Sequence, residues 1–218
     1  MTFDEAILGK KAALIDMDGV LYDSMPLHCR SWRLTMLEEG LDIPEEEFFQ
    51  YEGMTGAATI NLLMQREKGI TLSADECREI YARKAARFKT LGPPVMMPGA
   101  ADKIARFRAE GLKTVLVTGS AQNSLLSRLE EDYPGVFPPD MRVTALDVRH
   151  GKPAPEPYLK GLEKAGVEAS EAVVLENAPL GVRAGKAAGI FTIAWMTGPI
   201  PAGRFAAEGA DLILPRQL

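Results

Sequence analysis

Two aspartates spaced two residues apart, in Asp16-Met17-Asp18-Gly19-Val20, are the first residues of this chain with a chemistry to offer. On an extended segment, residues i and i+2 project to the same side, so both carboxylates face one spot just beyond the apolar run Ala12 to Ile15. Two acids at one spot require a counter-charge, and a hard dication with oxygen ligands, such as Mg2+, supplies it. The same Asp18-Gly19 pair also suits a plain turn. After a second apolar run come Thr118, Gly119 and Ser120, whose hydroxyls and backbone N–H groups suit phosphoryl oxygens, or a helix cap. Lys152, in Gly151-Lys152-Pro153-Ala154-Pro155, offers a point charge to a phosphoryl group in transfer, or is a solvated loop lysine. Glu176 and Asn177, in Glu176-Asn177-Ala178-Pro179-Leu180-Gly181, offer further oxygens to the metal; Asn177 alternatively caps the helix that begins near Pro179.

The elements that must position these residues are legible in the hydrophobic pattern. Five short apolar runs, Ala12 to Ile15, Thr114 to Val117, Met141 to Ala145, Ala172 to Leu175 and Phe191 to Ala194, read as strands buried on both faces. Helical patterns alternate with the later ones, at Ala100 to Glu110, Ser124 to Asp132, Pro155 to Ala165 and Leu180 to Ala188. Such alternation predicts an α/β fold, a doubly wound, Rossmann-like parallel sheet. The four motifs fall at the carboxyl ends of separate predicted strands, where an open sheet of this kind builds its site. Between them residues 23–92 read as helices only, at Leu27 to Glu39, Pro44 to Tyr51, Ala57 to Lys68 and Ala74 to Thr90. This predicts an inserted α-helical cap over a core made of residues 1–22 and 93–218. Gly181, Gly185 and Gly189 recur every four residues and read as a small-residue stripe for close helix packing.

Composition narrows the function classes. With 25 basic and 30 acidic residues the formal net charge is -5, which lacks the basic footprint that nucleic-acid binding needs. Hydrophobic residues at 46% and charged residues at 25% match an ordinary globular protein and argue against disorder. No apolar run approaches a membrane span, Asp4 and Glu5 stand where a secretory signal would carry positive charge, and Cys29 and Cys77 form no metal-ligand spacing. A cytoplasmic protein with reduced cysteines and no membrane or nucleic-acid partner is expected. No Gly-x-Gly-x-x-Gly follows the first strand, so a dinucleotide oxidoreductase is not indicated.

The four motifs, in this order, resemble the haloacid dehalogenase superfamily, and specifically its β-phosphoglucomutase-like branch, over nearly the whole chain. The resemblance implies an Mg2+-dependent phosphohydrolase, with Asp16 the nucleophile that forms an aspartyl-phosphate and Asp18 the general acid/base. It implies Thr118 and Lys152 as catalytic, Gly119 and Ser120 at the phosphoryl group, Asp16, Asp18, Glu176 and Asn177 at the metal, and a monomer. The second aspartate argues against dehalogenation, since release of halide needs no such acid.

Two departures bear on the substrate. Many relatives carry Glu-Asp where this chain has Glu176-Asn177, so one formal negative charge near the metal is missing. Glu52, in Tyr51-Glu52-Gly53-Met54-Thr55-Gly56, is a candidate to replace it when the cap closes, or else a solvated acid at a helix end. His28 and Lys84 match cap residues that the mutases use around substrate, whereas the cap arginine of the mutases aligns with Gly56. A small phosphorylated substrate follows, with inorganic pyrophosphate leading and a sugar phosphate beside it. The rivals are phosphoryl transfer of the β-phosphoglucomutase type and, from another class, a receiver-like or non-catalytic phospho-ligand-binding domain.

Overall fold

The computed structural model describes residues 1–120 and 123–216, with the backbone alone at 123–125. Its framework begins with Ala12, Ala13, Leu14 and Ile15, each with no exposed surface. They form β1 (Ala12–Ile15), which pairs in parallel with β4 (Lys113–Val117) on one side and β6 (Ala172–Glu176) on the other. Outward from β4 lies β5 (Arg142–Val143); outward from β6 lie β7 (Phe191–Trp195) and β8 (Leu212–Leu214). All of these pairs are parallel, in the order β5-β4-β1-β6-β7-β8.

Alternation along β1 separates two cores. Ala13 and Ile15 face a cluster built with Ala100, Ile104 and Phe107 of α5 (Ala100–Ala109) and Leu129 of α6 (Asn123–Asp132). Ala12 and Leu14 face the opposite cluster, with Tyr158, Leu162 and Ala165 of α7 (Glu156–Ala165) and Ala184 of α8 (Pro179–Ala187). Burial of each large aliphatic side chain here contributes about 1.5–3 kcal/mol. The sheet is therefore covered on both faces, as a doubly wound α/β fold requires. The chain leaves β1 for β4 and β5 on one side and returns to β6 on the other, so β1 and β6 flank the switch point where such sheets bind ligands.

Residues between β1 and α5 carry α2 (Met25–Glu38), α3 (Gly56–Lys68) and α4 (Ala74–Thr90). These helices bury their own cluster, including Met25, Cys29, Met36, Phe48, Ile60, Leu63 and Ile80, distinct from both sheet cores. The connections into and out of this helical unit pair antiparallel as β2 (Tyr22–Asp23) and β3 (Val95–Met96), a ribbon across the expected boundaries at 22 and 93. α1 (Phe3–Ile7) and α9 (Ala202–Ala207) complete the described elements.

Three expectations change in detail. The strand expected over Met141 to Ala145 keeps only Arg142 and Val143, because β5 is an edge strand that pairs with β4 alone. The helix expected over Pro44 to Tyr51 is a 3-10 helix at Glu45–Tyr51, the tighter form that short connectors commonly adopt. The two- and three-residue strands β2, β3 and β8 were not anticipated, since so few residues show no periodicity.

Candidate active site

The tip of β1 turns sharply. Leu21 and Tyr22 N–H groups donate back to the Met17 carbonyl, and the Gly19 N–H donates to the Tyr22 carbonyl. Gly19 takes φ +78, and a Cβ there would lie 1.9 Å from Asn177 Nδ2, so glycine alone lets the two loops meet. The turn leaves Asp16 and Asp18 lining one cavity of about 80 Å3, with Gly119 and Ser120 from the β4 loop. Thr118 lies behind them, with its Oγ1 accepting from the Ser120 N–H at 3.0 Å and holding that loop in a tight turn.

Lys152 arrives from the loop before α7 and is 3% exposed, so it is no solvated loop lysine. Its ammonium donates to Asp16 Oδ1 at 2.5 Å, Glu176 Oε1 at 2.6 Å and the Val117 carbonyl at 3.0 Å. Those three bonds use every proton it has. Burial works against its charge, but Asp16 and Glu176 outweigh that and hold its pKa above the ordinary lysine value. Glu176 is equally committed: Oε1 also accepts from Tyr158 Oη at 2.8 Å, and Oε2 accepts from the Asn177 and Ala178 N–H groups at 3.0 and 3.1 Å. Glu176, expected at the metal, meets Lys152 directly.

Burial raises the Asp16 pKa to about 8; Lys152 opposes the rise, and Glu176 and Asp18 add to it. Asp18 behaves differently. Burial acts to raise its pKa, but His28, Ser24 and Lys84 outweigh it and the net shift is downward. Its Oδ1 accepts from Ser24 Oγ at 2.6 Å and faces His28 Nε2 at 3.0 Å. His28 Nδ1 in turn lies 2.5 Å from Lys84 Nζ. Burial and the neighbouring Lys84 lower the His28 pKa, and burial lowers that of Lys84 to about 8. A neutral His28 that accepts from Lys84 and donates to Asp18 satisfies both contacts.

Glu52 is buried, not a solvated acid, and its Oε1 accepts from Asn177 Nδ2 at 2.7 Å. Burial first, then Asp16, pushes its pKa well above the usual carboxylate range. Asn177 does not cap α8, whose N-cap is Ala178; its Oδ1 is buried with no hydrogen-bond partner. Among the described residues no three His, Cys, Asp or Glu side chains already converge as a metal cage. The donor chemistry nevertheless fits a hard dication: an orphaned amide oxygen beside Glu52, and an Asp16 whose ionisation is opposed by neighbouring carboxylates.

Sequence reasoning passed over Ser24, Tyr158 and the aromatic wall of Trp32, Phe48, Tyr51 and Tyr81. Tyr158 looked like one more apolar position on an amphipathic helix, and nothing local marks its hydroxyl. Gly181, taken as a packing glycine, abuts Glu176: a Cβ there would lie 1.9 Å from Oε1.

With this geometry described, comparison with known proteins places the chain. A family model described as haloacid dehalogenase-like hydrolase matches residues 10–189. Hexitol phosphatase A of Escherichia coli (strain K12) is 31% identical over 186 residues, 84% of this chain and 82% of that protein. A phosphorylated carbohydrates phosphatase of Thermotoga maritima is 28% identical over 205 residues, 94% of this chain and 93% of that protein. Among solved structures, a candidate β-phosphoglucomutase from Bacteroides vulgatus superposes with a TM-score of 0.91 at 45% identity, covering 97% of this chain and 90% of that one.

Proposed function

The chain belongs to the haloacid dehalogenase-like hydrolases, and from that premise we propose that it is an Mg2+-dependent phosphohydrolase acting on a small phosphorylated substrate. In this reading an Asp16 carboxylate oxygen attacks phosphorus as the bond to the leaving oxygen breaks, and the Asp18 carboxyl proton passes to that oxygen. Asp18 then takes a proton from water, whose oxygen attacks phosphorus and releases phosphate from Asp16. The observation that carries the proposal is the pairing of a buried Asp16 with a fully engaged Lys152, beside an Asp18 held by His28 and Ser24.

Asp16, Asn177 and Glu52 would hold the metal, with Asp18 next to them. A dication there offsets the repulsion between the carboxylates and an incoming phosphoryl group. Lys152 opposes the burial-driven rise of the Asp16 pKa and orients its carboxyl, a bound dication would complete the ionisation, and Glu176 keeps Lys152 in place. Thr118 shapes the loop that offers Gly119 and Ser120 to the phosphoryl oxygens. Residues 23–92 act as the cap and bring Glu52, His28 and Lys84 over the core.

For the substrate, similarity to a hexitol phosphatase and a phosphorylated carbohydrates phosphatase supports a small polyol or sugar phosphate. The small cavity and the seating of Glu52 against Asn177 support a second reading, inorganic pyrophosphate. The test is a screen of purified protein against pyrophosphate, polyol phosphates, hexose phosphates and an aryl phosphate, with and without Mg2+ and beside Asp16→Ala. Phosphate release that needs both Mg2+ and Asp16 is expected. Conversion of β-glucose 1-phosphate without phosphate release would replace hydrolysis with mutase chemistry, and no turnover at all would favour a phospho-ligand-binding role.

A further inference from the structure

The cavity has two unlike ends. Its core end is Asp16, Asp18, Gly119 and Ser120; its cap end is walled by Trp32, Tyr51, Gly56, Thr59, Tyr81 and Lys84. With phosphorus at Asp16, a leaving group extends toward the cap end and meets that wall. At the wall the ring of Tyr81, on α4, lies directly over Gly56, the first residue of α3. A Cβ at position 56 would lie 2.2 Å from Tyr81 Cδ2, 2.5 Å from Cε2 and 2.9 Å from Cγ, far inside contact distance. Only glycine at 56 lets the phenol occupy this place. The ring is flanked besides, with the Trp32 ring centroid at 6.1 Å and Lys84 Nζ 5.8 Å from its own centroid. Both helices that carry the pair are anchored at their starts, α3 by the Thr55 hydroxyl on the Ala58 N–H and α4 by a Ser73–Glu76 capping box.

We infer that Tyr81, seated against Gly56, is the specificity-determining residue that limits the leaving group to a compact one, a phosphate or a short polyol, and turns away a hexose. This rests on the hydrolase reading above and deepens it. The rejection is steric, so it follows ring volume and not the hydroxyl.

The test compares wild type with Tyr81→Ala, Tyr81→Leu and Tyr81→Phe on pyrophosphate, glycerol phosphate and glucose 6-phosphate, with melting temperatures to confirm folding. Trimming the ring is expected to raise the kcat/KM of glucose 6-phosphate relative to pyrophosphate by about tenfold, whereas Tyr81→Phe retains the ring and therefore the wild-type ranking, whatever its rate. A ratio that shifts by less than about threefold in both trimmed variants, with either of them folded, overturns the inference. Dissociation constants for the same compounds, measured by calorimetry in an Asp16→Asn background, keep the two readings apart. Wild type without turnover sinks the hydrolase, while the binding ratio with and without the Tyr81 ring still decides the size limit.

Discussion

Asp16 is buried among other acids, and burial raises its pKa to about 8 from the ordinary 3.8. A carboxyl that holds its proton more tightly when folded favours the folded state at low pH, and that advantage is lost as pH rises through the window from about 4 to about 8. Glu52, also raised, acts in the same direction. Metal-free protein should therefore melt at progressively lower temperature across that window, and Asp16→Asn should flatten the decline. Thermal scans in chelator at several pH values check this; an undiminished slope in the variant would contradict it. Added Mg2+ should raise the melting temperature most at the alkaline end. Hydrogen bonds from Ser24 and His28 help to hold the Asp18 pKa down, so its free carboxylate suits taking a proton from water. A phosphoryl anion bound beside it raises the pKa again, so that Asp18 carries the proton for the leaving oxygen. Asp18→Asn should lower kcat on an alkyl phosphate by about 10²- to 10⁴-fold. The loss should be smaller on an aryl phosphate, whose leaving group needs no proton, and kinetics on the two substrate types measure the difference.

At the scale of elements, α8 shows how one helix face serves both packing and chemistry. Gly185 lies where a Cβ would meet Thr192 Oγ1 at 2.6 Å, and Gly181 lies where it would meet the Glu176 carboxylate. Gly185→Ala should lower stability by about 1–3 kcal/mol with little change in kcat, as denaturant titration and kinetics would show. Gly181→Ala must push Glu176 off Lys152, and kcat should fall by about 10- to 100-fold, the worth of a hydrogen bond to a charged group. A Gly181→Ala enzyme with wild-type kcat would show that Glu176 does not support Lys152. The helical unit and the core meet through Glu52 and Asn177. Glu52→Ala should raise the Mg2+ concentration for half-maximal activity by about tenfold, read from a metal titration of the rate.

At the scale of the molecule, the fold divides labour between a rigid sheet and a helical unit with a core of its own. The sheet tip gathers Asp16, Thr118, Lys152 and Glu176 from segments far apart in sequence, because β1 lies between β4 and β6. The helical unit hangs on the β2–β3 ribbon and supplies the other wall of the cavity. No described helix is long and apolar enough to cross a membrane.

The sequence by itself determined the alternation of buried strands and amphipathic helices, the helical insertion and the four strand-end motifs, since each is written in local periodicity or in adjacent residues. Asp16 and Asp18 stood out as acids two apart after a strand, a local pattern, whereas Lys152, by itself readable as a loop lysine, stood out only in company with the other strand-end motifs and the resemblance they carry. Tertiary structure alone decided who partners whom: that Glu176 meets Lys152, that Glu52 reaches Asn177, that Tyr158 supports Glu176, and that Tyr81 fills the space over Gly56. These pairs join residues separated by 18 to 125 positions. Hydrogen bonds and excluded volume act between neighbours in space, and a single chain's periodicity carries no record of which distant side chains its folding will bring within reach.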